Sequence, residues 1–237
     1  MKNKSLQNKY QYEDLLVKSQ DPYANSKYDI LLSWLRKYKV RTILNAGCGS
    51  GEFCFILANL GYNVVGIDPD SDYIGLANKE LSKTQIKNCV FEISSIENYK
   101  QTNKFDAIIA TDVLEHIEDD KTAFKKLASF VKIKGLILCT VPAGQYLFGY
   151  HDKKLGHFRR YSLSSFSEIV SKETRTLKLR YFGFFLIPIV FILSKWVKKS
   201  YPVAKSNNNF ILNIILTIEK KIQPILGASV LFLGQKN

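Results

Sequence analysis

The chain lacks several features that mark secreted, metal-bound or membrane-spanning proteins. Its four cysteines form no Cys-x-x-Cys pair, so neither a zinc site nor a disulfide framework is predicted, and we expect reduced, mostly buried thiols. No apolar run follows the lysines of the first 14 residues, so a secretory signal is not expected. The apolar run from Phe182 to Leu193 is interrupted by Pro188 and is shorter than the ~20 residues that span a membrane. A cytoplasmic protein without a metal site is therefore expected.

Acidic residues are scarce in the last part of the chain. Residues 141–237 contain 15 Lys/Arg and 4 Asp/Glu, whereas residues 41–140 contain 11 and 13, and residues 1–40 contain 8 and 4. A basic surface favours phosphate groups, which occur in nucleic acids, anionic lipid headgroups and phosphorylated substrates. A general enrichment in lysine explains the same charge equally well, so both interpretations stay open.

The most informative part of the sequence is a glycine-rich stretch near residue 50. Between Arg41 and Asp68, an apolar run is followed by the segment Gly47–Gly51, a second apolar run of helical length, and a third that ends on Asp68. This order predicts a strand, a turn, a helix and a strand, the βαβ unit of a nucleotide-binding sheet. Glycines let the backbone approach a ligand at the carboxyl end of the first strand. A carboxylate that ends the next strand can accept hydrogen bonds from ribose hydroxyls, which predicts this role for Asp68.

The ligand expected at this turn is not a dinucleotide. The pyrophosphate fingerprint requires glycine or alanine at its sixth position, where this chain has Glu52. The negative charge of Glu52 at the start of the helix would repel a diphosphate. A ligand that contains adenosine but no phosphate fits better, and S-adenosylmethionine (SAM) is such a ligand.

Two segments carry a specific resemblance. Residues 44–51, LNAGCGSG, resemble the first motif of class I SAM-dependent methyltransferases. Residues 105–117, FDAIIATDVLEHI, resemble the fourth-strand motif of the branch that contains the ubiquinone-biosynthesis methyltransferases. The resemblance implies SAM as the cofactor, S-adenosylhomocysteine (SAH) as its product, and an enzyme that transfers a methyl group.

The resemblance also implies which residues bind the cofactor. Asn45 and Asp112 would line the methionine end, although Asn45 replaces the usual acidic residue and would bind the ammonium group more weakly. Ser95 replaces a second acidic residue that commonly accepts a hydrogen bond from the adenine amino group. The full set implied is Asn45, Gly47, Cys48, Gly49, Gly51, Asp68, Ser95, Ile96 and Asp112.

The rest of the pattern predicts an α/β fold with a Rossmann-like, doubly wound, seven-stranded sheet, mostly parallel with the last strand antiparallel. Residues 41–182 and 227–237 would form the SAM-binding domain. Residues 1–40 would form a helical lid, with Tyr10, Tyr12 and Tyr23 as lid tyrosines and a helix over about residues 27–38 capped by Asn25 or Ser26. Residues 183–226 would form an apolar helical cap inserted between strands 6 and 7.

A second resemblance concerns the segment after the fifth strand. Residues 155–162, LGHFRRYS, resemble methyltransferases encoded beside bacterial glycosyltransferases, in which a His-x-Arg-Arg-Tyr run recurs. Arginines can bind a carboxylate or phosphate, and a neutral imidazole can take a proton from a hydroxyl. The candidate catalytic residues are His116, His151, His157 and Tyr161, and the candidate substrate-binding residues are Tyr146, Arg159 and Arg160. The structural alternative is that one arginine pairs with Asp152 and the histidines hydrogen-bond the loop.

The expected function is transfer of a methyl group from SAM to a small-molecule or lipid-linked anionic acceptor, at a hydroxyl oxygen. Transfer to nitrogen or carbon, and a SAM-binding adaptor without catalysis, are the alternatives. Nucleic acid is not the expected substrate, because the fourth strand is not followed by an Asn/Asp-Pro-Pro-aromatic motif. The apolar segments with basic flanks have three possible roles. They could lie on a membrane surface, line an apolar acceptor pocket, or form a helical pair that closes the sheet edge.

Overall fold

The computed structural model describes residues 21–197 and 210–237 of the chain. Tyr10 and Tyr12, together with most of the predicted lid, lie outside the described residues, and so do residues 198–209 of the predicted cap.

Seven strands form one sheet in the order β3-β2-β1-β4-β5-β7-β6. Strands β1 to β5 pair in parallel, while β7 is antiparallel to both β5 and β6, so the predicted doubly wound sheet is confirmed. The strands are β1 (Thr42–Ala46), β2 (Asn63–Asp68), β3 (Cys89–Ile93), β4 (Phe105–Thr111), β5 (Val131–Pro142), β6 (Thr174–Phe182) and β7 (Ser229–Lys236). The sheet order reverses between β1 and β4, which creates the crevice where such sheets bind ligands.

Helices cover both faces of the sheet. They are α1 (Pro22–Leu35), α2 (Glu52–Asn59), α3 (Ser71–Leu81), α4 (Asp120–Phe130), α5 (Tyr150–Leu155), α6 (Leu163–Val170), α7 (Ile187–Ile192) and α8 (Phe210–Lys221). On one face of the sheet, a hydrophobic core forms between the strands and helices α1, α2, α3 and α8. On the other face, a second core forms between the strands and helices α4 and α6. Ile43 therefore faces the first core and Leu44 the second, as expected for a strand buried on both faces.

The first helix begins earlier than predicted. Asp21 caps it by accepting a hydrogen bond from the backbone N–H of Tyr23 at 2.9 Å, and Pro22 occupies the first turn. The prediction that Asn25 or Ser26 caps the helix is wrong, because an Asp-Pro pair supplies both an acceptor and a preset φ angle for helix entry. The helix ends at Leu35 rather than near Tyr38.

The segment between β6 and β7 contains α7 and α8 within the described residues. Arg180 on β6 donates hydrogen bonds to the carbonyls of Glu219 and Lys220 at 2.9 and 3.2 Å, which fixes the end of α8 to the sheet edge. The side chain of Glu219 accepts a hydrogen bond from the N–H of Phe184 at 2.5 Å, so the start of the segment lies beside the end of α8. None of the helices in the described part of the chain has the length and hydropathy of a membrane span.

Candidate functional site

The glycine loop lies at the carboxyl end of β1. Gly47, Gly49 and Gly51 have φ angles of 67°, 55° and 89°, which residues with a Cβ atom adopt rarely. The N–H groups of Gly47 and Cys48 donate to the carbonyl of Ile67 at 2.8 and 3.0 Å, which joins the loop to the end of β2. A Cβ atom on Gly47 would lie 2.4 Å from the side chain of Val113, so the loop also packs closely against the turn after β4.

Asp68 is held against this loop. One of its carboxylate oxygens accepts a hydrogen bond from Gly49 N–H at 2.9 Å, and the other accepts one from Asp70 N–H at 3.0 Å. The residue is 8% exposed and ends β2, as the sequence predicts. These bonds orient the carboxylate at the edge of the sheet beside the glycine loop. Carboxylate oxygens accept more than one hydrogen bond each, so this position is compatible with ribose binding.

Asn45 is a buried polar residue within β1. Its side-chain N–H donates to the sulfur of Cys54 at 3.2 Å, while its Oδ1 is buried and has no hydrogen-bond partner among the described residues. A buried acceptor without a donor costs roughly 1–3 kcal/mol, so such an atom is typical of a site completed by a ligand. An ammonium group would supply the donor, which fits the predicted position of the methionine end.

The turn after β3 forms another part of the predicted cofactor site. Ser94 N–H donates to the carbonyl of Asp68 at 3.0 Å, which joins this turn to the residue predicted to bind ribose. The hydroxyl of Ser95 accepts a hydrogen bond from Asn98 N–H at 3.3 Å, and Ile96 is buried. The Ser95 hydroxyl therefore stabilises its own turn, and its contact with adenine stays a prediction.

Asp112 follows β4 and has a positive φ of 56°, unusual for a residue other than glycine. Its carboxylate accepts a hydrogen bond from the Thr140 hydroxyl at 2.9 Å and forms an ion pair with Lys27 of α1 at 2.5 Å. The Lys27 side chain is only 6% exposed. The first helix therefore brings a buried positive charge to the carboxyl edge of the sheet, directly beside the predicted methionine end.

Asp152 organises the segment after β5. This fully buried carboxylate accepts hydrogen bonds from Gly149 N–H at 2.9 Å, from Arg160 Nε at 2.7 Å and from the Nδ1 atom of His157 at 2.9 Å. Burial opposes its ionisation, but the His157 hydrogen bond and the Arg160 guanidinium hold the pKa of Asp152 well below its usual range. The ionised carboxylate can only accept, so the hydrogen bond to His157 requires a proton on its Nδ1 atom.

Two of the predicted catalytic histidines lie together. The rings of His116 and His157 meet edge to face with centroids 4.5 Å apart. The donor atoms of Glu115, His116 and His157 all lie within 4.8 Å of one another. Glu115 is fully buried, and its carbonyl accepts a hydrogen bond from Phe158 N–H at 2.8 Å, which ties the turn after β4 to the segment after β5.

The other predicted residues of this segment lie around that group. Arg159 pairs with Asp120 at 2.7 Å, and the hydroxyl of the buried Tyr161 donates to the same carboxylate at 2.9 Å. Burial and the charge of Asp120 raise the pKa of Tyr161 above its ordinary value, so its phenol stays neutral. Tyr146 is 49% exposed. His151 is buried on α5 and is not a member of the Glu115–His116–His157 group.

The arginine contacts agree with the structural alternative for this segment, in which one arginine pairs with Asp152. Arg160 is 7% exposed and pairs with that carboxylate, and Arg159 also donates to the carbonyl of Glu118 at 2.7 Å. Acceptor binding by either arginine, and a catalytic role for His151 or Tyr161, stay predictions.

Three residues at this edge are not among the candidates named from the sequence. Lys27 could have been found, because Ala24, Lys27, Tyr28 and Leu31 share one helical stripe and a lysine on a core-facing stripe is unusual. Glu115 stands inside the recognised motif, but its burial depends on the segment after β5. Phe158, 49% exposed beside His157, carries no sequence signal that separates it from a surface aromatic.

The fold is a doubly wound α/β sheet, and the hydrogen-bonded pair of Gly49 and Asp68 lies near the reversal of its strand order, where such sheets bind ligands. A profile of the methyltransferase domain family matches residues 38–207. The chain therefore belongs to the methyltransferase domain family, and the resemblance to class I SAM-dependent methyltransferases is confirmed.

Individual relatives are distant. The ubiquinone biosynthesis O-methyltransferase of Bradyrhizobium diazoefficiens is 30% identical over 96 residues, which are 40% of this chain and 38% of that protein. The enzyme of the same description from Rhodopseudomonas palustris is 30% identical over 114 residues, which are 48% of this chain and 42% of that protein. The chain thus matches about two fifths of the length of these curated relatives.

Solved structures are similar in fold over nearly the whole chain. The N-methyltransferase NodS from Bradyrhizobium japonicum, solved with SAH, has a TM-score of 0.62 at 14% identity and covers 91% of this chain and 88% of its own. A SAM-dependent methyltransferase from Clostridium acetobutylicum has a TM-score of 0.65 at 13% identity and covers 97% of this chain and 98% of its own. At this identity the similarity concerns the fold.

Proposed function

We propose that the protein binds SAM at the carboxyl edge of β1 and β2 and transfers its methyl group to a hydroxyl oxygen of an amphipathic acceptor. The observation that carries the proposal is the glycine loop, which is hydrogen-bonded to the carboxylate of Asp68 through Gly49 N–H. The loop offers a close backbone approach, and the carboxylate offers two acceptors for the ribose hydroxyls. Membership of the methyltransferase domain family supports the same cofactor.

The chain's own residues suit this cofactor. The buried Oδ1 of Asn45 would accept a hydrogen bond from the methionine ammonium group, and Asp112, whose charge is compensated by Lys27, would line the same end of the cofactor. Ser95 and Ile96, on the corner next to Asp68, would border the adenine. SAM supplies an activated methyl group on a sulfonium, so the protein has mainly to align it with the acceptor and exclude water.

The transfer would be an in-line displacement. A lone pair of the acceptor oxygen forms the new bond to the methyl carbon, while the carbon–sulfur bond breaks and its electron pair goes to sulfur, which leaves SAH. The hydroxyl proton would pass to the imidazole of His116 or His157, whose ring centroids lie 4.5 Å apart. A nitrogen or carbon acceptor would use the same alignment, and a SAM-binding adaptor would lack the transfer.

The acceptor side is both aromatic and apolar. Tyr146 and Phe158 are each 49% exposed at the segment after β5. The loop that carries Tyr146 is covered by the insertion, since Ser194 donates to the carbonyl of Leu147 at 3.2 Å and Lys195 to that of Phe148 at 2.6 Å. These contacts connect the apolar insertion to the acceptor side of the site.

The insertion itself exposes an apolar surface. On α8, Leu216 and Glu219 are buried against the protein, whereas the opposite face carries a stripe of exposed residues at spacings of four: Phe210, Ile214 and Ile218. Ile222, which follows the helix directly, is also exposed. Phe184, Phe185, Ile189, Phe191 and Ile192 are also exposed. Exposed aromatic and aliphatic residues at this density mark an interaction surface.

We propose that this surface lies on an anionic lipid bilayer and that the acceptor is lipid-linked or otherwise amphipathic. Charge complementarity supports this partner, because residues 141–237 contain 15 Lys/Arg and only 4 Asp/Glu. Lys220 and Lys221 end α8 next to the apolar stripe, the arrangement of helices that rest in the headgroup region.

Calorimetric titration with SAM and SAH tests the cofactor. Both should bind the purified chain, and Asp68→Ala should weaken binding by about ten- to a hundredfold, because a charged group that accepts hydrogen bonds contributes ~1.5–3 kcal/mol. Asp72→Ala, in the first turn of α3, is the matched control and should bind SAM like the parent. No binding of either compound by the folded parent would refute the proposal.

Transfer of a labelled methyl group from SAM into a host extract, separated into lipid and water-soluble fractions, tests the reaction. Label in the lipid fraction that is stable to mild base excludes a methyl ester. A nuclear magnetic resonance shift typical of a methyl group bonded to oxygen, rather than to nitrogen or carbon, then supports a hydroxyl acceptor. Label in the water-soluble fraction alone contradicts the lipid-linked acceptor. SAM binding without any transfer would favour the adaptor.

A further inference from the structure

The insertion between β6 and β7 touches the acceptor side at a place that has no room for a side chain. Ser194 lies in the turn Leu193–Val197 after α7, is 3% exposed and donates a hydrogen bond from its hydroxyl to the carbonyl of Leu147 at 3.2 Å. A Cβ atom on Gly149 would overlap that hydroxyl and lie 2.9 Å from the carbonyl oxygen of Ser194. Gly149 has an extended φ of −163°, which any residue adopts, so space rather than backbone conformation requires glycine there.

From Gly149 the contacts continue to the candidate site. Its N–H donates to one carboxylate oxygen of Asp152 at 2.9 Å, and the other oxygen accepts hydrogen bonds from Nδ1 of His157 at 2.9 Å and Nε of Arg160 at 2.7 Å. Asp152 is fully buried, so water cannot replace a hydrogen bond that is broken there. We propose that the insertion positions the imidazole of His157 by way of Gly149 and Asp152.

A displacement of Gly149 reaches the imidazole because the intervening contacts are few and direct. The carboxylate of Asp152 holds His157 with a single hydrogen bond, and such bonds weaken steeply when their length or angle departs from the ideal. The side chain of His157 is only 6% exposed, and its ring meets that of His116 edge to face. The ring thus has one defined position, which depends on the position of Asp152.

The insertion holds three consecutive residues directly before α5. Besides the contact with Gly149 and the hydrogen bond to Leu147, Lys195 donates to the carbonyl of Phe148 at 2.6 Å. Val190 of α7 packs with Leu147 in a small hydrophobic cluster that is separate from the two main cores. Closure of the sheet edge does not depend on these contacts, since other hydrogen bonds fix α8 there. The contacts therefore serve the acceptor segment itself.

The consequence for catalysis rests on the proposed methyltransferase function. An acceptor hydroxyl has to be aligned with the sulfonium methyl, and a misplacement of about 1 Å can lower the rate about a hundredfold. His157 is one of the two imidazoles proposed to take the hydroxyl proton, so Gly149 and Ser194 are positioning residues for that step. The insertion contributes in this way to the rate of transfer, in addition to the proposed contact with lipid.

The position of His157 can be observed without any reaction. In the isotope-labelled full-length chain, an Nδ1 proton bonded to a buried carboxylate gives a downfield nuclear magnetic resonance signal, which is assigned by its loss in His157→Asn. Gly149→Ala should shift or broaden this signal, because the added Cβ forces Ser194 and Gly149 apart. Gly149→Ala/Ser194→Ala lacks the overlapping hydroxyl and should restore the signal in part. Absence of the signal from the folded parent would remove the hydrogen bond on which the proposal depends.

Gly75→Ala is the matched control. Gly75 lies in α3, where an added Cβ meets no atom within 4 Å, so this variant should keep the parent's signal. Ser194→Ala/Lys195→Met removes two hydrogen bonds of the insertion without adding an overlapping atom, and it carries the test if Gly149→Ala does not fold. Folding of every variant is verified by circular dichroism. An unchanged His157 signal in the folded variants of the insertion contact overturns the proposal.

The rate of labelled methyl transfer into the host extract, at saturating SAM, is the second measurement. Gly149→Ala should transfer about ten- to a hundredfold more slowly than the parent and bind SAM with the parent's affinity, because the glycine loop and Asp68 lie at other strands. Transfer at the parent's rate by folded Gly149→Ala overturns this inference and leaves the proposed function standing. A parent that shows the coupled His157 signal but binds no SAM loses only the methyltransferase function.

Discussion

At the scale of single residues, the ion pair of Lys27 and Asp112 joins the first helix to the edge of the sheet. The two groups are 2.5 Å apart, and their side chains are 6% and 19% exposed. Lys27→Met removes the positive charge and leaves a partly buried carboxylate in a strained backbone position. We expect it to lower the free energy of unfolding by roughly 1–4 kcal/mol, measured by urea denaturation.

Lys27→Met/Asp112→Asn should recover part of this loss, because the uncompensated charge is removed as well. Lys83→Ala breaks the exposed pair with Glu80, whose side chains are more than half exposed, and should change stability by less than about 1 kcal/mol. A loss in Lys83→Ala as large as that in Lys27→Met would contradict the argument from burial.

Asp106 illustrates a residue whose effect is on folding rather than on the site. Burial opposes its ionisation, but hydrogen bonds from Lys132 and from the N–H groups of Arg41 and Thr42 lower the pKa of Asp106 to about 2. Its unfolded pKa is about 3.9, so the folded state binds fewer protons in this range. The stability it contributes is present above pH ~4 and is lost as the pH falls towards 2.

Asp106→Asn should therefore lower stability at neutral pH, by roughly 1–2 kcal/mol, and flatten the decline of stability between pH 4 and 2. Thermal unfolding of both proteins across this pH range measures the effect. If the stability of the variant fell between pH 4 and 2 as steeply as that of the parent, Asp106 would not contribute to acid unfolding.

At the scale of elements, helix α8 has two apolar faces. Leu216 packs against the protein, while Ile214 and Ile218 on the other side are 43% and 52% exposed. Ile214→Asp/Ile218→Asp should weaken binding to vesicles of phosphatidylglycerol and phosphatidylcholine at least about tenfold, since burying each isoleucine contributes up to ~1.5–3 kcal/mol. Vesicle flotation measures the bound fraction.

Ile133→Asp provides the control for this prediction. Ile133 is 78% exposed near the start of β5, at the end of that strand opposite to the candidate site. The variant should float with the vesicles like the parent. Equal loss of binding in both variants would indicate that general charge rather than α8 governs the contact.

The elements also differ in how well the sequence predicts them. β3 and β7 follow from the local pattern, because each is a short β-branched and apolar run between turn residues. The glycine corner follows in the same way from local pattern. The start of α1 did not, since Asn25 and Ser26 look like better caps than Asp21 until the Asp-Pro pair is considered.

Contacts between distant segments could not be predicted from the sequence. The meeting of Glu115 with His157 and that of Lys27 with Asp112 depend on how β4, the segment after β5 and α1 converge. No local periodicity encodes such distances. The sequence leaves open whether one arginine pairs with Asp152, and only the packed structure shows that Arg160 does so.

At the scale of the whole molecule, the uneven charge gives a test of the proposed membrane contact. The net charge is +13, and most of it lies in residues 141–237. Binding to anionic vesicles should therefore weaken as salt rises from low to physiological concentration, because the Debye length shortens from about 30 Å to about 8 Å. Flotation with purely phosphatidylcholine vesicles separates the two contributions, since the apolar contact alone should persist there weakly and without dependence on salt.

The position of β7 between β5 and β6 has a consequence for how the chain assembles. β6 reaches the rest of the sheet through β7, although β7 is made later, after the long connection from 183 to 228. β6 can therefore join the sheet only after this connection has brought β7 into place beside β5. Each doubling of such a loop costs only about 0.6 kcal/mol, so its length and sequence can drift at little expense to folding. The surface carried by this connection can thus change in evolution while the glycine loop and Asp68 at the other strands stay intact.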